Sequence, residues 1–596
     1  MIDVSFLSPP RRWPLRVMGA VRRRLRTSEL WLIMLSVAVG AAAGLLAVFQ
    51  SRVAHGLQSL LYHIGDADHL SAVARISPLR ALWLPVGGLA LGVFSWFVSR
   101  RRAGGLVDVV EANALYGGVL GLADSAIVCI QTMLSNGVGA SVGLEAAYAQ
   151  AGGAAASFAG GRLKVRRHDM RILVGAGAGA AIGAAFGAPL TGAFYAFEIV
   201  IGSYTPSAIA PVAAACLTAV LAAKGAGGLP YSIEIKTQKA PDIVGYALYS
   251  GLGLISALVG VAIMRLVAGV ERLVRRSPIP QALRPMIGGF LLAGLAIVSP
   301  QTLSAGHGAL HLDLAVGMPL AILALVLLLK TTASVVSLGF GFRGGLFFAS
   351  LFLGSLLGQI YAGLADLTPL AEKLSPENAA LVGMGALAVS IVGGPLTMSF
   401  LVLETTGDFG IAAAALCAAL IASTVVRERF GYSFSTWRLH LRGETIRSAR
   451  DIGWMRSLTA ERMMRPDAQS VAAATRIEAF RQRFPLGSTS RVILLDEEAR
   501  YAGMLVTADA FAEGLDPQAA VATLAKNAGL ALSPDMNIGA VMHIFEESNA
   551  DELAVVDAER HVLGLLAESY VARRYAHELE RQQLDLYGER AEAEKA

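Results

Sequence analysis

Long apolar runs between Leu30 and Val426 limit the fold of this chain more than any other feature of its sequence. The first run, Leu30 to Gln50, has about 20 residues without a charge, enough to cross the ~30 Å hydrocarbon layer of a bilayer. Charged residues make up 16% of the 596 residues, whereas soluble domains carry about 25%. The sequence therefore predicts an all-α polytopic membrane protein over residues 29–442, followed by a soluble region.

Basic residues gather at the ends of the apolar runs. Seven arginines precede the first run, against only Asp3 and Glu29. This bias predicts that residues 1–28 form a basic cytoplasmic N-terminus. No small-residue cleavage site ends the run, which argues against a cleaved signal peptide. The net charge of +5 thus reflects membrane topology and not nucleic-acid binding. We expect a multi-pass protein of the cell inner membrane with both termini in the cytoplasm.

The apolar region repeats itself. Each copy carries a Leu-Val-Gly-x-Gly-Ala stretch and a Pro-Leu-Thr triplet, with a glutamate nine residues after the proline. The matched landmarks are Leu173–Ala178, Pro189 and Glu198 in one copy, and Leu381–Ala386, Pro395 and Glu404 in the other. The sequence predicts two homologous halves, about 30–220 and 245–430. Transporters built from inverted repeats bind their substrate near the membrane midplane, on broken helices.

Glycine-rich interruptions mark where such helices would begin. They lie at 103–107, 139–147 and 341–349. Glycine lets backbone N–H groups approach an ion closely. A helix start adds unpaired N–H donors and a partial positive charge, so it forms an anion site without a basic side chain. These segments predict a binding site for a small anion.

Glu145 lies inside one of these interruptions. A carboxylate in an apolar, glycine-rich run is costly and is usually functional. At a helix start it is a tethered anion that can occupy the site of a permeant anion, and protonation would release it. The alternative is a cap that only satisfies the N-terminus of its helix. The repeat and the glycines favour a gate.

At these motifs the chain resembles the CLC family of chloride channels and proton/chloride antiporters. The family's Gly-Arg-Glu-Gly-Pro signature is similar to 143–147 here, and Gly-Gly-Ile-Phe-x-Pro is similar to 344–349. Gly-Ser-Gly-Ile-Pro is matched more weakly by 103–107. The segment Ser433–Gly443 is similar to the start of the family's last membrane helix. The resemblance covers about Leu30 to Tyr570.

The resemblance implies transport of chloride or a similar small anion by a homodimer in the lipid bilayer, with Glu145 as the gate and without enzyme activity. It also implies a set of anion-binding positions. These are Gly104, Gly105, Leu106, Gly143, Leu144, Leu346, Phe347 and Ser435.

Three positions depart from the family pattern. Gly104 replaces an anion-binding serine, and Ser435 replaces the central tyrosine. Ile199 stands where the family's antiporters carry an inner proton-relay carboxylate, so that relay position is lost. These changes favour channel-like conduction. Coupled proton/chloride antiport is the alternative.

A second repeat occupies about 443–580. Two short apolar strands joined by a polar turn occur twice, each after an amphipathic helix. The predicted units, about 455–515 and 520–580, are similar to a small α+β cytosolic tandem CBS pair, and 581–596 form a charged tail. Asp509 has the offset of the acid that holds ribose in nucleotide-binding pairs. Adenine nucleotide binding and a structural dimerisation role both stay open; no other cofactor is expected.

Some sequence patterns match other classes of protein. Gly139-x-Ser141-x-Gly143 matches an esterase nucleophile motif but follows an apolar segment, where the required strand is missing. A CBS-bearing divalent-cation channel would need several converging acids. The candidates are Asp108, Glu111, Asp124, Glu145, Glu198 and Glu404. The three cysteines are isolated in the sequence and predict no metal site. Lys330 is expected to extend from a span end toward water.

Overall fold

The chain forms two compact units, Met1–Asp451 and Ile452–Ala596. The structure is a computed structural model that describes residues 29–65, 68–102, 105–228, 241–315, 317–368, 374–441, 458–548 and 550–576. The predicted N-terminal arginine cluster, Gly104 and the predicted tail 581–596 lie outside these residues.

The first unit is built from α-helices. Within the described ranges, nine helical segments are long and apolar enough to cross a membrane, so the predicted multi-pass architecture is confirmed. In chain order the helices are α1 Glu29–Tyr62, α2 Pro78–Ala81, α3 Trp83–Arg101, α4 Val109–Leu115, α5 Leu122–Gly137, α6 Glu145–Leu163, α7 Arg167–Phe186, α8 Pro189–Tyr195, α9 Pro206–Gly225, α10 Ile243–Arg276, α11 Arg284–Val298, α12 His307–Ala315, α13 Leu320–Gly339, α14 Phe347–Ala365, α15 Pro376–Val392, α16 Pro395–Thr406, α17 Phe409–Arg429 and α18 Phe434–Leu441.

The helices follow the predicted repeat. Helices α1 and α10, which open the two halves, each have 34 residues. Helices α6 and α14 each have 19 residues. The Leu-Val-Gly-x-Gly-Ala stretches lie within α7 and α15, and the Pro-Leu-Thr triplets begin α8 and α16. The internal repeat is therefore confirmed at the level of whole helices.

The two halves meet through reciprocal contacts. The N–H group of Gly143 donates to the carbonyl oxygen of Gly345 at 3.0 Å, and the N–H group of Gly345 donates back to Gly143 at 3.3 Å. Mutual pairing of this kind is typical of a two-fold relation, since each residue plays the same part for its counterpart. In inverted-repeat transporters that axis lies in the membrane plane. The pairing places the starts of α6 and α14 side by side.

Glycines let neighbouring helices touch backbone to backbone in both halves. A Cβ atom added at Gly152 of α6 would lie 2.1 Å from the carbonyl oxygen of Gly177 of α7. One added at Gly354 of α14 would lie 2.3 Å from the carbonyl oxygen of Gly383 of α15. Lipid provides no hydrophobic force between helices, so close van der Waals contact must hold them together. This contact explains one glycine of each repeated stretch, Gly177 in the first half and Gly383 in the second.

The described part of the second unit contains two small sheets and three α-helices. Its elements are α19 Ala460–Met463, β1 Ser470–Ala472, α20 Ile477–Arg483, β2 Arg491–Leu495, β3 Tyr501–Val506, α21 Ile538–Ser548, β4 Glu552–Val556 and β5 Val562–Ala567. Strand β1 is parallel to β2, β2 is antiparallel to β3, and β4 is antiparallel to β5. Leu494 faces Gly503 and Val555 faces Gly564, and the register shifts directly after both pairs. The predicted small α+β pair is confirmed, down to the same irregularity in each strand pair.

Each strand pair contributes to two apolar clusters. Residues at alternate positions point to opposite faces of a strand. Val492 and Leu494 lie in the core of the first strand pair, while Ile493 joins Ala554 and Val556 in a shared cluster between the pairs. The short helix α19 packs with the core of the second pair. The segment that opens the predicted unit 455–515 thus pairs with the later unit.

We expect Gly354→Ala to destabilise the membrane unit. The added methyl group would meet the carbonyl oxygen of Gly383 at 2.3 Å, and such overpacking costs about 1–3 kcal/mol. Thermal unfolding in detergent, followed by size-exclusion chromatography, should show a lower transition temperature. The control is Gly161→Ala, because a Cβ there meets no atom within 4 Å. Equal transition temperatures for the two variants would contradict the backbone contact.

Candidate functional site

The starts of α6 and α14 form the centre of the site. Leu144 and Leu346 are their N-cap residues, 7% and 2% exposed, and neither supplies a side-chain hydrogen bond to its helix. Neither helix start is therefore capped by the side chain of its own N-cap residue. Because the Gly143–Gly345 pairing holds the two starts together, two positive helix ends converge. Gly143, Leu144, Leu346 and Phe347 lie here together.

The carboxylate of Glu145 occupies this convergence. The side chain is 4% exposed and accepts hydrogen bonds from its own backbone N–H and from the N–H of Phe348, at the start of the opposite helix. Its other oxygen, Oε2, is buried without a hydrogen-bond partner. A Cβ atom at residue 143 would lie 1.8 Å from that oxygen. Only glycine at 143 leaves room for the carboxylate.

The segment 103–107, which resembles the Gly-Ser-Gly-Ile-Pro signature, does not form a helix start like those of α6 and α14. Gly104 lies outside the described residues, Gly105 is exposed and Leu106 is half-buried. Helix α4 begins only at Val109, and Asp108 caps it by accepting from the N–H of Glu111 at 2.8 Å. The start of α4 is thus occupied by a side chain, unlike the starts of α6 and α14.

The other two departures from the family pattern lie on different elements. Ile199 belongs to the π-helical turn Ala196–Ile201 and packs against the main apolar core. Ser435 is the second residue of α18, which packs against α15. Among the described residues, no hydrogen bond joins Ser435 to the Gly143–Gly345 pairing. Ser435 is therefore not linked to the starts of α6 and α14 by a direct hydrogen bond in the described part of the chain.

Aromatic rings enclose the site. The ring of Phe186 lies 5.2 Å from Phe347 and 6.2 Å from Phe348, centroid to centroid. Tyr195 lies 6.2 Å from Phe347, near enough to Glu145 to interact with its carboxylate electrostatically. Tyr195 was not predicted from the sequence, because a tyrosine in an apolar run has the pattern of a core residue.

A cavity of about 640 Å³ reaches Glu145. Leu144, Tyr148 and Phe186 border it near the carboxylate, and its polar walls come from α1, the loop before α2, and α12. Four of the lining side chains are histidines: His55, His69, His307 and His311. His307 and His311 lie four residues apart on α12, and only the fold brings His55 and His69 to them.

Lys330 contradicts its prediction. It is 0% exposed, and its Nζ donates to the carbonyl oxygens of Thr302, Leu303 and Ser304 at 3.2, 3.3 and 2.8 Å. The expectation of a side chain that extends to water is wrong. The loop carbonyls, buried with no helix to satisfy them, hold the ammonium instead. Ser304 in turn lines the cavity.

Glu404 caps a helix of the other half. Its Oε1 accepts from the N–H of Leu190 at 2.8 Å, and its Oε2 accepts from the N–H and hydroxyl of Thr191, both at 2.7 Å. These donors are the first N–H groups of α8, which have no partner within their own helix. The carboxylate therefore acts as a structural cap between halves.

Glu198 makes the matching contact in the opposite direction. Its Oε1 accepts from the N–H of Leu396 at 3.1 Å, and its Oε2 accepts from the N–H and hydroxyl of Thr397 at 2.8 and 2.6 Å. The glutamates nine residues after each Pro-Leu-Thr triplet thus cap one another's helices. Both glutamates were recognised in the sequence as landmarks of the repeat, but their role as caps was not predicted.

The residues that a cation channel or an esterase would use are engaged in structural contacts. Glu198 and Glu404 are engaged as caps, and Asp124 pairs with Arg102. Carboxylates held apart in this way do not form the converging set that a cation pathway needs. The Oγ of Ser141 lies 3.1 Å from the Oγ of Ser334 in a fully buried position, as a structural hydroxyl would.

In the second unit, Asp509 lies in the short helix Thr507–Phe511 after β3. Its Oδ2 lies 2.7 Å from the Nζ of Lys526. The carboxylate proposed to hold ribose already has a cationic partner.

The fold and the site define a polytopic membrane transport protein built from a repeated half. The sequence profile of the voltage-gated chloride channel family matches residues 86–427. The chain belongs to this family, whose members transport anions across membranes and are not enzymes.

Three known proteins give the extent of the similarity. A protein of Ralstonia nicotianae described as ClcB-like is 31% identical over 373 residues, 60% of this chain and 85% of the relative. A slow cyanobacterial Cl⁻/H⁺ antiporter shares the fold at 23% identity and a TM-score of 0.59, over 69% of this chain and 97% of that one. A eukaryotic CLC transporter does so at 16% identity and a TM-score of 0.58, over 93% and 98%.

We expect Glu404→Ala and Glu198→Ala to destabilise the membrane unit to a similar extent. Each removes the acceptors of two backbone N–H groups, and an unpaired buried donor costs about 1–3 kcal/mol. Thermal unfolding in detergent measures both. Glu428→Ala, at an exposed position of α17, serves as the control and should unfold like the wild type. A loss confined to one of the two glutamates would show that the caps are not equivalent.

Proposed function

We propose that the protein conducts chloride or a similar small anion across the membrane, and that Glu145 gates the pathway. The observation that carries the proposal is the Glu145 carboxylate, held by N–H groups at the meeting point of α6 and α14. A carboxylate and a chloride ion share one charge and accept the same N–H donors. The side chain therefore stands in the place of the anion that the site would bind.

The chemistry of the site supports a weak and selective anion site. Helix starts attract anions through N–H groups and partial charge. The residues described at this centre, Gly143, Leu144, Leu346 and Phe347, have no basic side chain to fix the ion, so the ion can leave, as conduction requires. The ClcB-like relative is described as a chloride channel protein, which supports chloride as the anion.

Protonation of Glu145 is the proposed gating event. The ionised carboxylate competes with the permeant anion for the N–H groups of Glu145 and Phe348. Once protonated it loses its charge, and the anion can displace it. Conduction should therefore rise as the pH falls. The cavity that reaches Glu145 is the route by which we expect protons to arrive.

We favour passive conduction over coupled exchange. The isoleucine at 199 has no group that binds a proton, and the serine at 435 is too small to close a pathway as a phenol ring would. Coupled proton/chloride antiport is the second candidate, because the cyanobacterial protein of the same fold is described as such an antiporter.

Further proposals rest on the resemblance. We place both termini in the cytoplasm and the membrane unit in the cell inner membrane, and we expect a homodimer. For the second unit we favour a structural role over adenine nucleotide binding, because Lys526 already holds Asp509.

We expect Glu145→Gln to conduct anions at least as fast as the wild type and to lose its pH dependence. Glutamine has the shape of the carboxylic acid but never ionises, so it no longer competes with the anion. Chloride efflux from proteoliposomes between about pH 5 and about pH 8 measures both effects. The control is Glu271→Gln. Glu271 is partly exposed and pairs with Arg275, so this variant should behave like the wild type. A folded Glu145→Gln protein without flux would make Glu145 a structural cap.

We expect a chloride gradient to drive no uphill proton movement. Ile199 offers no relay, so protons would not travel with the anion at a fixed ratio. The test imposes a chloride gradient on proteoliposomes with the membrane potential clamped, and follows external pH. Uphill proton movement at a constant ratio to chloride would instead establish the antiporter.

A further inference from the structure

Two tyrosines lie close enough to Glu145 to interact with its carboxylate electrostatically, and they differ in the partners of their hydroxyl groups. The hydroxyl of Tyr148, on α6, bonds to the side chain of Ser51, on α1, beside the cavity described above. Tyr195, the last residue of α8, is 8% exposed. No residue in the described part of the chain forms a hydrogen bond with its hydroxyl. A buried polar group without a partner is costly, which indicates a partner outside the protein.

The hydroxyl of Tyr195 lies near the starts of three helices. The ring lies 6.2 Å from that of Phe347, the first residue of α14. The hydroxyl interacts electrostatically with the carboxylates of both Asp108 and Glu145. Asp108 is the N-cap residue of α4, and Glu145 is the first residue of α6. Tyr195 therefore adds an uncharged O–H donor to a region that already contains converging backbone N–H groups.

Two cavities approach these helix starts. The cavity of about 640 Å³ that reaches Glu145 is lined by neither Tyr195 nor Asp108. A second cavity, of about 750 Å³, is lined by Val107, the residue directly before Asp108. Tyr195 and Asp108 thus lie on the side of Glu145 toward this second cavity. An anion that moves from one cavity to the other along the helix starts would pass the Tyr195 hydroxyl.

The Tyr195 hydroxyl does not hold the gate. The Oε2 atom of Glu145 is a buried acceptor without a hydrogen-bond partner, although the tyrosine is close enough to interact with its carboxylate electrostatically. If the hydroxyl served to fix Glu145, this oxygen would be its acceptor. Proton relay from Asp108 through Tyr195 to Glu145 would also need hydrogen bonds or a bridging water between these groups. No direct hydrogen bond joins the tyrosine to either acid in the described residues.

We propose that Tyr195 is a further anion ligand, whose hydroxyl donates to chloride or a similar small inorganic anion beyond the gate. The O–H group is a donor without charge, so it strengthens binding and still lets the ion leave. The anion supplies the acceptor that the surrounding protein does not. The inference rests on the proposed function, because it assumes that an anion passes Glu145.

The test measures chloride binding to the purified full-length protein by isothermal titration calorimetry. It uses the Glu145→Gln protein, in which the gate does not compete with the anion, with and without Tyr195→Phe. The matched control is Tyr249→Phe in the same background, because Tyr249 is a buried tyrosine on α10, 1% exposed. Thermal unfolding of all three proteins shows whether the lost hydroxyl had a structural partner.

We expect Tyr195→Phe to raise the Kd for chloride about tenfold, the effect of losing one hydrogen bond to a charged group. Tyr249→Phe should leave the Kd unchanged, and the unfolding temperature of the Tyr195→Phe protein should stay the same. An unchanged Kd would overturn the anion ligand. A lower unfolding temperature without a change in Kd would show instead that the hydroxyl is structural.

Two further outcomes separate the inference from its alternatives. Chloride efflux is measured between about pH 5 and about pH 8 for Tyr195→Phe with Glu145 intact. A changed pH dependence together with an unchanged Kd would overturn the anion ligand in favour of a proton relay. If the Glu145→Gln protein binds no chloride with either residue at 195, the proposed function fails, and the inference fails with it.

Discussion

Two backbone hydrogen bonds between Gly143 and Gly345 hold the starts of α6 and α14 together, and the anion site depends on this pairing. Helix ends carry partial charges that decline within one turn, so two of them act jointly only when they nearly touch. Two glycines at the pairing have no room for a side chain, since a Cβ at 143 would meet the Glu145 carboxylate and one at 344 would meet Val142. The glycines of both signatures are therefore needed first for close packing at the two helix starts.

The membrane unit uses its carboxylates in two distinct ways. Glu198 and Glu404 have both oxygens engaged by backbone and hydroxyl donors of the opposite half. Glu145 keeps Oε2 buried without a partner. A satisfied carboxylate is held in place, whereas a partly satisfied one gains by changing position or by taking up a proton. This difference separates the structural acids from the proposed gate.

Several features of the site could be predicted from the sequence, and others could not. The starts of α6 and α14 were predicted because glycine-rich interruptions in apolar runs are local signals. The prediction for Lys330 was wrong, because its burial depends on the carbonyl oxygens of Thr302, Leu303 and Ser304. These residues lie outside the apolar run that contains Lys330, so the sequence around the lysine does not reveal them. Tyr195 carries no local signal and was missed, as was the meeting of His55 and His69 with the pair His307 and His311 of α12.

The sequence by itself determined the membrane class, the two homologous halves and the acid at the centre, because hydropathy, repetition and a carboxylate in an apolar run are properties of short stretches. Tertiary structure alone decided which groups meet. Three features join residues from separate elements. They are the reciprocal helix caps by Glu198 and Glu404, the carbonyl oxygens that hold Lys330, and the histidine-lined cavity. Contacts of this kind depend on how the two halves pack, and packing arises from the shape of whole helices, which no local pattern records.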